Sequence, residues 1–503
     1  MRMALLDRIP HLSVSPSHRP WPRVTVDDDG WGKVIDLLAA GDLTLLGLWG
    51  EADAVHMALL AEPGEIAVVS LDCASGRFPS VSARHPPAQR LERTIRDLFG
   101  LEAIGATDTR PWLDHGVWGL SAPLGNTAAA REAGPYKFLP AEGEALHQVA
   151  VGPVHAGIIE PGHFRFSANG EHVVRLEERL GYVHKGIERL MQGASLEAAA
   201  KLAGRVSGDS TVAYAFAFAR AAEAVLGIEA PPRAQYLRAL MAEAERLANH
   251  FGDIGAICND ASFALMHAQT SILRDRVLRA ADSAFGHRLM MDMILPGGVA
   301  REIAPGGVKQ MRALLADIRR IFPRLVELYD NTASLQDRTV TTGIVRHDYA
   351  RQFGAGGYVG RAAARGFDAR KNLSYPPYDR LAFEVPVLEA GDVNARVWIR
   401  IREVEQSLGL IDQILDQLPR GVISTDLKAN GAAGEGLALV EAFRGEVLIW
   451  LRLDAEGRVA RCHLRDASWF QWPLLEAAIE GNIVADFPLC NKSFNCAYSG
   501  VDL

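Results

Sequence analysis

The 503-residue chain is poor in cysteine and has no long apolar run. Its five cysteines form no CxxC pair, which argues against a zinc ribbon, and their low number argues against a secreted disulfide scaffold. No stretch approaches the ~20 apolar residues that a membrane span requires, since the best candidate, 211–219, ends at Arg220. The N-terminal apolar segment is cut by Pro10 and is too short for a signal peptide.

A strong charge of one sign is also missing. The 53 Lys and Arg residues against 61 Asp and Glu give a net charge of −8, and no basic tract stands out. The charge pattern therefore does not indicate binding to nucleic acid. A hydrophobic share of 49% and a charged share of 23% exclude a disordered or fibrous protein. The sequence has no P-loop, no GxGxxG after a strand, no HExxH and no GxSxG, so short motifs assign no activity and no NAD site.

The pattern of apolar residues predicts a small α/β unit followed by a helical region. In the first part we expect strands at 43–49 and 66–71 and a helix at 88–99 ended by Gly100. Residues 122–134, rich in Gly, Ala and Asn, indicate a linker.

After the linker, HFRFSANGEHVV predicts a β-hairpin with Asn169–Gly170 in a type I′ turn. Apolar residues spaced by three and four predict helices, and further strands are expected at 446–453 and 459–464. One apolar stripe comprises Leu237, Leu240, Met241, Ala244, Leu247, Ala248 and Phe251. A second stripe comprises Val404, Leu408, Ile411, Leu415 and Leu418, and Pro419 ends it. Other helices are expected near 210–226 and 308–330.

Several long motifs carry a family resemblance. In order they are GPVHAGIIEPGHFRF, RLGYVHKGIERL, AQYLRALMAEAERLANH, FDARKNLSYPPYDRLAFEVP and NIVADFPLCNKSF. They resemble the large subunit of energy-converting membrane-bound nickel–iron hydrogenases, including formate hydrogenlyase, and the homologous D-type, quinone-site subunit of respiratory complex I. LERTIRDLFGLEAIGATDTRPWL resembles the C-type subunit of complex I.

The resemblance implies an α+β fold in which a C-type and a D-type subunit are fused. A C-type α/β domain is expected over 1–125, a linker over 126–145, and a mainly helical D-type domain with a β-hairpin lobe over 146–503.

The chain departs from the hydrogenase pattern at the metal ligands. That pattern needs two CxxC pairs, because soft thiolates suit nickel and iron. The aligned positions here are Ser207, Ser210, Ala497 and Gly500, with Cys496 one residue out of register. The resemblance therefore implies a cavity without a nickel–iron centre and no metal held by this chain.

The resemblance to complex I implies quinone as a candidate ligand. The quinone-site histidine matches His163, and the aspartate that orients it matches Asp260. Such a pair can donate a proton to a reduced carbonyl oxygen. The family tyrosine, however, falls on Gly208, and Tyr214 is a distant substitute. The alternatives are that His163 stabilises the hairpin and that Asp260 caps a helix end.

Other polar residues are expected near the cavity. Glu160 matches a proton-carrying glutamate of the hydrogenases, although a lone loop carboxylate is the ordinary alternative. Arg205, Asp368 and Arg370 match family residues that line the cavity. The plainer interpretations are an ion pair between Asp368 and Arg370 and a serine helix cap in the segment that follows Arg205. Cys490 and Cys496 are expected to be buried and unreactive.

Two hypotheses of function follow. In the first, the chain is an oxidoreductase subunit that reduces quinone or another small acceptor next to the iron–sulfur cluster of a B-type partner. In the second, it is a non-catalytic coupling subunit; an active nickel–iron hydrogenase ranks third. The resemblance implies antiporter-like membrane partners, a peripheral position on the cytoplasmic side of the cell membrane, and no activity of the chain alone.

Overall fold

The computed structural model describes residues 5–126, 129–130, 134–143, 145–155, 159–427 and 433–503. The strands are β1 (Ser13–Ser15), β2 (His18–Arg19), β3 (Arg23–Val26), β4 (Thr44–Gly50), β5 (Ala54–Ala61), β6 (Glu65–Asp72), β7 (Arg77–Pro79), β8 (Glu102–Ile104), β9 (Leu120–Ser121), β10 (Ala129–Ala130), β11 (Leu146–Val151), β12 (His163–Asn169), β13 (His172–Arg179), β14 (Ile294–Leu295), β15 (Gly298–Val299), β16 (Gly434–Ala442), β17 (Gly445–Leu453) and β18 (Val459–Arg465).

The helices are α1 (Asp28–Ala39), α2 (Gln89–Phe99), α3 (Ile187–Met191), α4 (Leu196–Ala203), α5 (Thr211–Leu226), α6 (Pro232–Asp260), α7 (Ala264–Phe285), α8 (Gly307–Asp330), α9 (Ala333–Thr339), α10 (His347–Gln352), α11 (Gly357–Ala362), α12 (Ala369–Asn372), α13 (Val393–Gln417), α14 (Ser468–Ile479), α15 (Phe487–Phe494) and α16 (Ser499–Asp502). Short 3-10 helices cover Leu6–Arg8, Pro86–Ala88, Gly208–Ser210, Tyr378–Arg380 and Val484–Asp486. No helix within these described ranges combines the length and the apolarity needed to cross a membrane.

The N-terminal part is built on a five-stranded mixed sheet in the order β1-β3-β6-β5-β4. The predicted strands at 43–49 and 66–71 are confirmed as β4 and β6, and the helix at 88–99 as α2. Gly100 follows α2 with a φ of 74°, the left-handed conformation that ends a helix and that glycine adopts without strain.

The predicted hairpin is present, but its turn is not the one expected. Asn169 pairs with His172, so the loop is Gly170–Glu171 rather than Asn169–Gly170. Gly170 has a φ of 58° while its two neighbours keep negative values. A glycine at the first loop position is typical of a type II′ turn, whereas type I′ needs two residues with positive φ. The prediction of type I′ was wrong by one residue of register.

Five long helices form the body of the second part, and all were predicted in place except α7. The first apolar stripe lies on α6 and the second on α13, which ends at Gln417, just before Pro419. Helix α5 lies across β16 and β17. A side-chain Cβ at Gly436 would stand 2.1 Å from the carbonyl oxygen of Ala221, so glycine permits this close approach of sheet and helix.

The two parts share one core, and the predicted α+β class is confirmed. The ring of Trp49 on β4 stacks on His463 of β18 at 5.1 Å between centroids. The Arg465 Nε atom donates to the carbonyl oxygen of Leu46 at 2.6 Å. Strand β2 runs parallel to β16 and joins the sheet β18-β17-β16-β2. The packing therefore holds the C-terminal sheet, and the segments after it, against the N-terminal sheet.

Candidate functional site

The segment RVSGDS forms a short 3-10 turn in front of α5, and its serines are bonded to the aspartate between them. The Ser207 hydroxyl donates to Asp209 Oδ1 at 2.7 Å, and the Ser210 hydroxyl donates to the same oxygen at 3.3 Å. Both serines are buried. Ser210 occupies the N-cap position of α5, but its side chain makes no capping bond. Glu245 accepts the free N–H groups of that helix instead.

Arg444 joins this segment to the C-terminal one. It follows β16, and its Nη2 lies 2.6 Å from Asp209 Oδ2 while its Nη1 donates to the Ser210 hydroxyl at 3.2 Å. Its Nε donates to the carbonyl oxygen of Asn495 at 2.5 Å. The Arg444 guanidinium holds the pKa of Asp209 below its usual range. A buried cation therefore stands where the two predicted ligand segments meet.

The C-terminal positions pack against Asp466. A Cβ at Gly500 would lie 2.8 Å from the Asp466 Oδ2 atom, and Ala497 is 4% exposed. The Tyr214 hydroxyl donates to the same Oδ2 at 2.9 Å, and the side chain of Tyr214 is fully buried. Tyr214 is thus bonded within the core, and its pKa is raised by burial and by Asp466.

This arrangement does not fit a nickel–iron centre. The hydroxyls of Ser207 and Ser210 are bonded to Asp209, and the space beside Gly500 is filled by Asp466. Cys490 and Cys496 are buried as predicted, and burial raises the pKa of Cys490 to about 11 and that of Cys496 well above its usual value, so neither is a thiolate. Across the described part of the chain, no group of three or more His, Cys, Asp or Glu side chains is arranged to hold a metal ion.

His163 lies at the start of β12, buried, on the wall of a cavity of about 580 Å³. Its Nε2 accepts a hydrogen bond from Arg165 Nε at 3.3 Å, so the ring proton is on Nδ1, which donates to the Gly152 carbonyl oxygen at 3.3 Å. Burial lowers the pKa of His163, which favours the neutral ring. The Phe138 ring lies 5.1 Å away between centroids.

The same cavity is lined by side chains that sequence reasoning missed. They come from the end of the N-terminal part, from the predicted linker, from the end of β13 and from the segment after it: Arg110, His115, Tyr136, Lys137, Phe138, Arg179 and Tyr182. The linker was assigned no function because it has no apolar period. The one signal available in advance was its YKF triplet, two aromatic residues flanking a lysine.

Asp260 and Glu160 occupy different surroundings from His163. Asp260 is the last residue of α6, and burial raises its pKa while nearby Lys492 opposes the shift. Both ring nitrogens of His163 have other partners, so the two residues are not bonded to each other here. Glu160 is exposed and accepts from the Ser499 amide at 3.1 Å. Part of the loop before it, 156–158, lies outside the described residues.

The remaining predicted residues divide into exposed and buried ones. Arg205 and Gly208 are exposed, and Arg205 forms a bidentate pair with Asp292 at 2.7 and 2.8 Å. Asp368 and Arg370 are buried and paired at 2.7 Å.

That buried pair belongs to a larger ionic cluster inside the helical body. Its members are Glu243, Arg246, His250, Arg361, Asp368, Arg370, Glu403 and Glu441. Sequence reasoning found only the FDAR part of this cluster, because its other members come from four different elements.

Comparison with known proteins is consistent with this fold. The family described as "Respiratory-chain NADH dehydrogenase, 49 Kd subunit" matches residues 260–431 and 427–503, and "Nickel-dependent hydrogenase" matches 185–252. Formate hydrogenlyase subunit 5 of Escherichia coli (strain K12) is 31% identical over 445 residues, which cover 86% of this chain and 78% of that protein. The chain belongs to this hydrogenase and complex I large-subunit family.

Two further relatives agree with that membership. Hydrogenase-4 component G of the same organism is 31% identical over 488 residues, covering 94% of this chain and 84% of its own length. A solved chain of the membrane-bound sulfane sulfur reductase, an archaeal respiratory membrane complex, superposes with a TM-score of 0.68 at 26% identity, covering 72% of this chain and 99% of that one. The relatives of this family member are thus subunits of hydrogenases and of respiratory membrane complexes.

Proposed function

We propose that this chain is the fused C- and D-type subunit of a membrane-associated, ion-translocating oxidoreductase complex without a nickel–iron centre. Its proposed partners are a B-type iron–sulfur subunit, which delivers electrons, and antiporter-like membrane subunits. The chain is peripheral, on the cytoplasmic side of the membrane. Family membership supports the assembly, and the bonding of Arg444 to Asp209 and Ser210 supports the loss of the metal.

The observation that carries a redox role is the cavity of about 580 Å³ beside His163. A quinone or another small carbonyl acceptor bound there would accept the hydrogen bond of the His163 Nδ1–H in place of the Gly152 carbonyl. The present bond to Gly152, at 3.3 Å, is long and weak. Each carbonyl oxygen that is reduced by electrons from the B-type partner takes up a proton, and we propose that His163 passes its Nδ1 proton to that oxygen while its Nε2 takes up a proton from solvent, so that the ring stays neutral. Tyr182, which lines the same cavity, offers a phenol hydroxyl in place of the family tyrosine that falls on Gly208.

Apolar side chains at the edge of this cavity support a partner subunit there. Val117 is 81% exposed and follows Gly116, which lines the cavity, and Val154 is 85% exposed and lies two residues after Gly152, whose carbonyl oxygen accepts from His163. Exposed apolar side chains grouped around a cavity are typical of a protein interface. Away from this cavity, Glu160 is solvent-exposed and stands close to Asp502, whose pKa burial raises to about 7, and we propose a proton relay between them.

A second candidate is a coupling subunit without redox chemistry. In this alternative the chain transmits conformational change to ion-translocating partners. The specific observation in its favour is that both ring nitrogens of His163 are already bonded and that Asp260 is not one of their partners.

The test is His163→Ala in the assembled complex, with reduction of a short-chain quinone driven by a chemically reduced viologen. We expect turnover to fall about 100-fold or more, because a positioned proton donor contributes that much. His172→Ala is the matched control, since His172 is an exposed histidine of the same hairpin and its loss is expected to leave turnover unchanged.

Unchanged turnover in His163→Ala would remove the redox proposal and favour the coupling subunit. Metal analysis of the same preparation gives an independent check, because stoichiometric nickel in this chain would contradict our interpretation of Ser207 and Ser210.

A further inference from the structure

Arg220 on α5 is half-buried and differs from the fully buried arginines of the helical body. The deeply buried arginines of this body and of the C-terminal sheet each donate at least two hydrogen bonds: Arg238, Arg246, Arg361, Arg365, Arg370, Arg396, Arg400, Arg444, Arg461 and Arg465. Arg220 has no hydrogen-bond or ion-pair partner among the residues that the structure describes, and its Nε is enclosed.

The surroundings of Arg220 form a pocket of about 210 Å³. One face of the guanidinium lies against the Tyr375 ring, 4.6 Å from its centroid, which leaves the edge with its N–H groups free to donate. The walls come from α5, the start of α6, β16 and the segment before β3, and they include Glu223 and Glu229 as well as Arg220. None of the lining residues belongs to the His163 cavity, so the two sites are separate.

The nearest carboxylate is not available to Arg220. Glu223, one turn further along α5, accepts two bonds from Arg238 at 2.6 and 3.1 Å and one from the Gly297 amide at 2.8 Å. Burial lowers the pKa of Arg220, and the nearby Glu223 carboxylate opposes this shift without cancelling it. An enclosed charge of this kind is costly unless something pairs with it.

A second cation stands beside the pocket. Arg19 is exposed, and its Nη1 lies 3.2 Å from where a Cβ at Gly227 would be. The neighbouring Pro20 lines the pocket. Within the described ranges, no hydrogen bond or ion pair of the Arg19 guanidinium is present, so no protein partner there holds this side chain in place.

We propose that this pocket binds a small oxyanion, a phosphate or a carboxylate, through Arg220. A guanidinium edge matches two oxygens of either group, and Arg19 supplies a second positive charge. The volume is below the ~300–1,000 Å³ of sites for drug-sized ligands and cofactors. The ligand class is therefore inorganic phosphate or a short dicarboxylate rather than a nucleotide.

The test is titration of the purified full chain, at constant ionic strength, with phosphate in one arm and succinate in the other. Calorimetry and the anion-dependent rise in Tm give two readouts. We expect saturable binding of at least one anion with a Kd in the millimolar range or below, and a Kd at least ten times higher in Arg220→Gln. The anion with the lower Kd, phosphate or succinate, identifies the class of oxyanion that the pocket prefers.

Arg312→Gln is the matched control, because it removes the same charge from an exposed site on α8 and should leave the Kd unchanged. Arg220→Lys keeps the positive charge but loses the paired N–H donors of the guanidinium. This variant is expected to bind the anion more weakly than the wild type but more tightly than Arg220→Gln. Far-UV circular dichroism checks that each variant is folded. No saturable binding of either anion, or an equal Kd in Arg220→Gln and Arg312→Gln, would overturn the proposal.

Discussion

At the scale of single residues, Arg444 decides the character of the central site. Its guanidinium bonds to Asp209 and Ser210 on one side and to the Asn495 carbonyl on the other. The side chain is 3% exposed, whereas that of Asp209 is 36% exposed. A fixed cation repels metal ions and holds two segments together that lie more than two hundred residues apart in the chain.

Removing this cation should destabilise the protein strongly. Arg444→Gln leaves Asp209 without its cationic partner and frees a carbonyl, and we expect a loss of about 2–4 kcal/mol in the free energy of unfolding, toward the lower end because Asp209 is partly hydrated. Guanidinium unfolding followed by tryptophan fluorescence measures the change. Arg312→Gln, which breaks exposed pairs with Asp412 and Asp416, should cost less than about 1 kcal/mol. Similar losses in the two variants would contradict the role assigned to Arg444.

At the scale of elements, α6 provides the N-terminal cap of α5. Glu245 on α6 accepts from the amides of Val212 and Ala213 at 2.8 and 3.1 Å. Serine or aspartate usually provides such a cap from the residue before the helix. Here Ser210 holds that position but bonds to Asp209, so the cap comes from a neighbouring helix.

This cap makes stability depend on pH. Burial raises the pKa of Glu245 from 4.5 to about 8, so the folded chain holds the proton more tightly than the unfolded chain. The contribution of Glu245 to the free energy of unfolding is therefore fully present below about pH 4.5 and is lost as the pH rises to about 8.

Glu245→Gln should remove that part of the pH dependence. We expect the loss of unfolding free energy between pH 5 and pH 8, measured by urea titration, to be smaller in the variant by about 2–4 kcal/mol. Glu405→Gln on the exposed side of α13 is the control and should keep the wild-type profile. Identical profiles for all three proteins would show that Glu245 titrates normally.

At the scale of the whole molecule, the N-terminal sheet and the C-terminal sheet are packed as one body. Trp49 stacks on His463 and lies 5.6 Å from Trp450 between ring centroids. The buried apolar residues form one continuous cluster across both parts. Two parts of a chain that share a core in this way should unfold together.

Calorimetry of the full chain is expected to give a single unfolding transition. Trp49→Ala should lower the stability of the whole molecule by about 3–5 kcal/mol, because a large aromatic side chain is removed from a packed interface. Val117→Ala, at a site 81% exposed, should change it by less than about 0.5 kcal/mol. Two separate transitions in the wild type, with only the first moved by Trp49→Ala, would show that the units are independent.

The sequence alone determined the family, the α+β class and most of the long elements. The stripe from Leu237 to Phe251 predicted α6, and Gly100 marked the end of α2, because periodicity and helix endings depend on residues close together in the chain. The same locality explains the hairpin error, since Asn169–Gly170 carries a strong turn signal that the strand register overrode by one residue.

The partners of the site residues were decided only by the tertiary structure. Nothing near Ser210 in the chain indicates Arg444, and nothing near His163 indicates Tyr136 or Tyr182. The pairing of buried polar groups must satisfy hydrogen bonds across the whole core, so it depends on which distant elements pack together. Short-range patterns therefore determined where the helices and strands form, and long-range packing determined which charges and hydroxyls meet between them.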